Sequence, residues 1–241
     1  MHDTLTYLER EAVHRRFHHD ELTFRGVYAF SENYVLPLSH DEVTHGKRSL
    51  LGRMPGDRWQ QLANLRSLFA FMWAHPGRKL LFMSGELAQA HEWNPEVAID
   101  WRVLDDPRHR GVQTLVRDLN RRYRAEPALW SADDDPRGFT WLDGTDADHN
   151  VFAFARHDPD GARPIVCIAN LSPVPRHEYG VGFPAPGAWE ELLDTDSRFY
   201  GGSDIGNGGM VAVARAAGGG HTRLVLPPLG VLWLGPRAGD S

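Results

Sequence analysis

From about residue 137 onward the chain is broken into short apolar or alternating runs, and this rhythm limits the fold more than any other feature. The runs are Phe139–Leu142, Val151–Arg156, Ile165–Leu171, Tyr179–Phe183, Trp189–Leu193, Met210–Ala214, Leu224–Leu226 and Val231–Leu234. Gly, Pro, Asn and Asp separate them. Seven or eight strands at such spacing predict an antiparallel sandwich. Gly201-Gly202, Gly208-Gly209 and Gly218-Gly219-Gly220 read as loops, and no Lys-Ser/Thr follows them to complete a phosphate cradle.

Residues 1–124 are written in another grammar. A helical stretch is expected over residues 4–30, with Tyr28 and Phe30 leading toward a strand. Its charged segment His14–Glu21 reads as a solvated helix face or connecting loop. Tyr34–Leu38 has the pattern of a strand buried on both faces. Pro55-Gly56-Asp57 supplies a turn and an N-cap. Leu62, Leu65, Phe69 and Met72 then recur at helical spacing, predicting an amphipathic helix that His75-Pro76-Gly77 terminates. Leu80–Met83 is a second strand and Gln89–Asp106 a long loop holding Trp93 and Trp101. Arg108–Arg124 is a further helix, with Val112, Leu115, Val116 and Leu119 on its apolar stripe. Strand, helix, strand, helix is the repeat of a barrel or a doubly wound sheet. The acidic, turn-rich stretch around Ala132–Pro136 reads as a linker. The expected organisation is therefore an α/β unit over 1–124, a linker over 125–136 and an all-β unit over 137–241.

Charge narrows the partners. Residues 1–124 hold 18 Lys+Arg against 16 Asp+Glu, and residues 125–241 hold 8 against 16. Neither half is a basic footprint, so nucleic acid is not an expected partner; neutral polymers suit such a surface better. Cys167 is the only cysteine and lies in an apolar run. That excludes an internal disulfide and fits a reducing cytoplasm. No apolar run approaches the ~18–20 residues of a membrane span. The start, Met1-His2-Asp3-Thr4, lacks the build of a signal peptide. The 13 histidines show no metal-ligand spacing: His18 and His19 are adjacent and would face different sides of a helix. Neither a metal nor a cofactor is expected.

The chemistry concentrates where the first strand ends, in Ser39-His40-Asp41-Glu42. A buried strand delivering imidazole and carboxylate at its C-terminal end is how parallel α/β sheets and barrels build active faces. Ser39–Val43, His45-Gly46-Lys47 and Met54–Trp59 closely resemble the glycogen (1,4-α-glucan) branching enzymes of the α-amylase family. The likeness continues through Phe71–Gly77, Leu81–Glu86, Glu92-Trp93-Asn94, Asp100-Trp101 and Arg117–Asn120. It is dense over residues 1 to about 124 and fainter over the family's C-terminal all-β domain. The resemblance implies the C-terminal part of a (β/α)8 barrel, with strands 7 and 8 and helices 6 to 8, followed by the sandwich.

It also implies an activity: α-1,4 glucan chains are cut and re-attached as α-1,6 branches by a retaining double displacement on glycogen or amylose. By resemblance Asp41 is the third carboxylate of the site, which stabilises positive charge developing on the sugar, and His40 binds sugar hydroxyls. Retention requires two further carboxyl groups, a nucleophile and an acid/base. In this family these lie on earlier barrel strands, and nothing here matches them. The chain is therefore expected to be a C-terminal fragment, inactive alone, for which the missing barrel strands would be a partner. Trp93 and Trp101 are candidates for stacking on sugar rings, core packing accounting equally well for Trp101. Glu86, expected on the same rim as Asp41, is a substrate-side candidate and more readily a loop-organising acid. Where the family usually has Gly-Gly-Glu-Phe-Gly-Gln, this chain has Ser84-Gly85-Glu86-Leu87-Ala88-Gln89. Two rival readings remain: a related glucan hydrolase or trehalose-forming enzyme, and a non-catalytic glucan-binding or structural module with scattered aromatics such as Trp130, Trp141 and Trp189.

Overall fold

A computed structural model describes residues 1–23, 34–161 and 163–237. Three short helices, α1 (His2–Glu9), α2 (Ala12–Arg15) and α3 (Asp20–Thr23), stand where one helical stretch was expected. Tyr28 and Phe30 lie outside the described residues. The break at Arg10, whose backbone is extended, turns Arg15 inward. Its buried guanidinium donates to the carbonyls of Leu8 and Leu171 and to Asn64 Oδ1. His19 is likewise buried, stacked on Phe152 at 4.0 Å. The charged segment is thus no purely solvated face: a guanidinium whose Nε and both Nη atoms all donate can be interior.

Strand β1 (Val35–Leu38) pairs in parallel with β2 (Arg78–Leu81), in the register Val35 to Arg78 through Leu38 to Leu81. Between them run α4 (Leu50–Arg53) and α5 (Arg58–Ala74), the crossover that parallel strands require. Burial on both faces does not hold. Leu36 and Leu38 face the core, whereas Val35 and Leu80 on the opposite face are 51% and 41% exposed. Among the described residues only the helical layer covers this two-stranded sheet, and neither strand pairs with a third.

Asp57 caps α5 through a reciprocal box with Gln60: its carboxylate accepts from Gln60 N–H and its own N–H donates to Gln60 Oε1. The amphipathic expectation fails further along, because every residue from Leu62 to Ala74 is buried. The cause is position: α5 packs on α6 (Pro107–Ala125), on α1 and α4, and on two strands of the β half. At its end Gly77 has φ +111°, and a Cβ there would come within 3.0 Å of Tyr34 O; glycine is required. Helix α6 buries Val112, Leu115, Val116 and Leu119 as expected. The segment over 125–136 is a packed connection. Its buried Glu126 and Asp133 pair with Arg163 at 3.1 Å and Arg156 at 2.7 Å.

Eight strands follow: β3 (Phe139–Asp143), β4 (Val151–Arg156), β5 (Ile165–Asn170), β6 (Arg176–Phe183), β7 (Gly187–Asp194), β8 (Met210–Ala216), β9 (Gly219–Leu226) and β10 (Gly230–Pro236). They form one antiparallel array in the order β3-β4-β5-β10-β7-β8-β9-β6. The ends β3 and β6 come back into contact, so the array folds over as a sandwich. Gly219 and Gly220 belong to β9 and are paired, not looped. Strands β4, β5 and β10 are apolar on both faces for a reason visible in their alternation. Phe152, Phe154, Cys167 and Trp233 join the core of the helical half. Val151, Ala153, Val166, Ile168, Leu232 and Leu234 meet Val181, Phe183 and Leu224 across the sandwich. One sheet therefore serves two cores. Among the described residues no helix is long and apolar enough to cross a membrane.

Candidate functional site

Beyond β1 the chain enters a tight 3-10 turn, His40–Glu42, because Ser39 and Glu42 cap each other. Ser39 Oγ accepts from Asp41 N–H at 3.2 Å, and the Glu42 carboxylate accepts from Ser39 N–H and Oγ, both at 2.8 Å. Lys47 Nζ donates to Asp41 O at 2.8 Å, and Arg53 holds the Glu42 carbonyl while pairing with Glu9. The turn is fixed through its backbone and through Glu42, which leaves the Asp41 carboxylate outward. Asp41 is 70% exposed, and His40 Nε2 lies 3.4 Å from its Oδ1. Asp41 thus faces open space rather than the interior, which a role on substrate demands.

The loop after β2 approaches from the other side. The His40 ring lies 5.8 Å from Phe82, and Phe82 meets the edge of Trp93 at 5.2 Å. Trp93 N–H donates to Val43 O, and the Glu92 carboxylate receives Lys47 N–H, so the two loops are joined by backbone as well as by rings. Between them is a cavity of about 320 Å³, walled by Leu38, Val43, Phe82, Trp93 and Ile99 among others. Trp101 does not line it. At 59% exposure on the 3-10 turn Trp101–Asp105 it is no core residue either, which removes the packing account.

Glu86 is not where expected. Ser84 and Ala88, both in left-handed backbone (φ 63° and 53°), bracket a 3-10 turn that sends Glu86 to a separate hollow with Trp73, Asn120 and Arg117. The structure thus brings His40, Asp41 and Trp93 to one region and sets Glu86 apart. Phe82 is the contributor that the sequence left unmarked, whereas Ser39 and Glu42 of the polar tetrapeptide act as the supporting hydrogen-bonding pair. The Ser39-x-x-Glu42 spacing is itself a capping-box signature and was readable; nothing marked Phe82. Among the described residues no group of three or more His, Cys, Asp or Glu side chains could hold a metal ion.

Residues 141–237 match the family model described as alpha amylase, C-terminal all-beta domain. A crystal structure of Ttha1563 from Thermus thermophilus has a like fold over 83% of this chain and 34% of its own, with a TM-score of 0.55 at 22% identity. An all-β domain of α-amylase type, joined to a parallel βα unit with a His-Asp rim, is the class these features define. Sequence relatives sharpen it. The 1,4-alpha-glucan branching enzyme GlgB of Burkholderia pseudomallei (strain 668) is 58% identical over 98% of this chain and 32% of its own length. The corresponding enzyme GlgB 1 of Xanthomonas axonopodis pv. citri (strain 306) is 54% identical over 98% of this chain and 33% of its own. Over nearly its whole length the chain is thus homologous to part of the 1,4-α-glucan branching enzymes of the α-amylase group. It spans about a third of the length of the curated relatives it matches.

Proposed function

We propose that this chain supplies the His40–Asp41 rim of a 1,4-α-glucan branching centre. In that centre α-1,4 chains of glycogen or amylose are cut and rejoined as α-1,6 branches with retention. Asp41 is the carboxylate that stabilises positive charge developing at the anomeric carbon, an interaction stronger in the transition state than in the ground state. His40 binds the sugar hydroxyls beside it, and Trp101 offers an exposed face for a ring farther along the chain. The nucleophile and the acid/base of the double displacement belong to the part of the relatives that this chain does not span.

The observation that carries the reading is the capping network that fixes Asp41 while leaving its carboxylate open. The exposed Val35 and Leu80 and, among the described residues, the unpaired outer edges of β1 and β2 fit the same reading. We take β1 and β2 with α5 and α6 as strands 7 and 8 and helices 7 and 8 of an eight-stranded barrel, with 1–124 the partial barrel and 137–241 the sandwich. The absent strands would cover Val35 and Leu80. The single buried Cys167 suits a cytoplasmic site for such work.

Amylose with iodine provides the test. Incubated with the chain alone, the colour should persist; fading would end the claim that the other two carboxylates lie elsewhere. Joined to the N-terminal two-thirds of the Burkholderia relative, the chain should form branches. Asp41→Asn in that assembly should lower the rate by at least about a hundredfold, the scale of losing one transition-state charge partner. Full activity in that variant would overturn the assignment, and new reducing ends without branches would point to hydrolysis instead.

A further inference from the structure

We infer that Arg53, aimed by Glu9, is a positioning residue for Asp41: by holding the Glu42 carbonyl it fixes the turn that carries the carboxylate. The inference rests on the branching-centre reading for the reaction it serves, and on hydrogen bonds alone for the holding.

Among the described residues the Asp41 carboxylate is lightly held by its own contacts. Ser39 Oγ and His40 Nε2 each stand 3.4 Å from it. Its place is therefore set by the backbone of the His40–Glu42 turn, and each carbonyl of that turn is taken. His40 O accepts from Val43 N–H at 3.0 Å and from Thr44 Oγ1 at 2.9 Å. Asp41 O accepts from Lys47 Nζ and Glu42 O from Arg53 Nη1, both at 2.8 Å. Val43 and Thr44 are chain neighbours that move with the turn, and Lys47 is exposed, so water competes for its ammonium. Of these donors Arg53 alone stands on a separate helix, with its side chain only 12% exposed.

The aim of that side chain is built in. Arg53 closes α4, whose cap Ser49 accepts from Gly52 N–H and donates to Ala90 O in the loop after β2, while Leu50 and Leu51 are buried. The guanidinium then divides its planar fork: Nε donates to Glu9 at the end of α1, and Nη1 to the turn. An ammonium has no such fork to serve both partners in fixed directions. Glu9 also settles the electrostatics. Asp41 acts through its negative charge on a developing cation, and a bare guanidinium behind the turn would offset part of that field. Paired with Glu9, Arg53 supplies a donor without adding net charge. Asp41 is thereby placed before the sugar arrives, and no reorganisation of its turn is needed as the bond breaks.

The joined assembly tests the role, and the chain alone tests the holding. In the assembly Arg53→Met should lower kcat by roughly tenfold with KM unchanged, the mark of an interaction made in the transition state. Placed on Asp41→Asn, the same substitution should cost less than about twofold, because its route to the reaction is already gone. Arg53→Lys should not restore the rate. Glu9→Gln is milder and carries the test if Arg53→Met does not fold; it should cost roughly threefold, again only when Asp41 is present. In the chain alone, amide hydrogen exchange over residues 40–43 should quicken about fivefold in Arg53→Met, the scale of one lost hydrogen bond. Arg198→Met, which removes an exposed ion pair with Asp204, should change neither reading. Equal losses on wild type and on Asp41→Asn would make Arg53 a general structural residue and overturn the inference. Unchanged exchange, or an unchanged rate in an assembly that branches, would overturn it too while sparing the branching reading. A wild-type assembly that forms no branches would instead overturn the branching reading, and with it the purpose of the holding, whatever the exchange shows.

Discussion

Asp194 is a buried carboxyl whose ionisation couples folding to pH. Burial pushes its carboxyl up to about 7, with Asp196, Glu191 and Asp204 adding like charge against one hydrogen bond from Asp196 N–H. In the unfolded chain the same carboxyl titrates near the usual ~3.9. The folded state therefore keeps a proton that the unfolded state releases across that interval. Stability falls as pH rises from about 4 to about 7, and the penalty is complete above that. Asp194→Asn keeps the acceptor and removes the charge. It should be more stable than wild type by roughly 1–2 kcal/mol at pH 8, with the difference fading toward pH 4.5. Urea melts of both proteins at the two pH values check this, and a pH-independent difference would contradict it. Burial pushes the neighbouring Asp196 carboxyl up as well, against the hydrogen bonds it accepts from the backbone N–H groups of Ser203 and Ile205.

At the scale of elements, Arg156 shows how tightly β4 is bound to its surroundings. Its fully buried guanidinium donates to Gly138 O, to Ala74 O at the end of α5 and to Asp133. Arg156→Met would strand a buried carboxylate and two carbonyls, at a cost of about 3–5 kcal/mol. The midpoint of guanidinium unfolding is the measurement, and a loss below ~1 kcal/mol would show that water replaces the donors. These elements were legible to different depths. Val151–Arg156 and Ile165–Leu171 could be read as strands because apolar β-branched and aromatic runs between turns have few alternatives. That Phe152 and Val151 would serve different cores could not be read, since doubly buried strands carry no alternation of polarity. Helix α5 was placed correctly at both ends by Asp57 and Pro76, yet its full burial was hidden by Asn64, Arg66 and Ser67. Those polar side chains look outward in sequence, but all three are buried. Arg66 donates to Thr195 O and Ser67 to Leu229 O, partners more than a hundred residues away. At the candidate site, Ser39–Glu42 was legible in identity. The turn after β2 was less so: Ser84 and Ala88 adopt left-handed backbone where the resembling family has glycine, and only coordinates reveal why glycine suits those positions.

For the molecule as a whole, the helical half and the sandwich are not independent bodies. Arg15 and Arg66 reach across to β-half carbonyls, Tyr200 Oη donates to Asp118 on α6 at 3.0 Å, and one continuous core runs from Leu5 to Trp233. The chain should unfold in a single transition, with coincident curves from far-ultraviolet circular dichroism and tryptophan emission. Two separated steps would show that the halves fold apart. Sequence grammar changes near residue 130, but cooperativity need not change there with it.

The doubly apolar sheet has a practical corollary for anyone who wants smaller pieces of this molecule. Severing the polypeptide near residue 130 and discarding the first half would leave Phe152, Phe154 and Trp233 greasy and wet, a recipe for precipitate. A protease nick in the exposed stretch around residues 94–98 spares those seams, so the two cut products should stay clasped and travel through a sizing column as one particle.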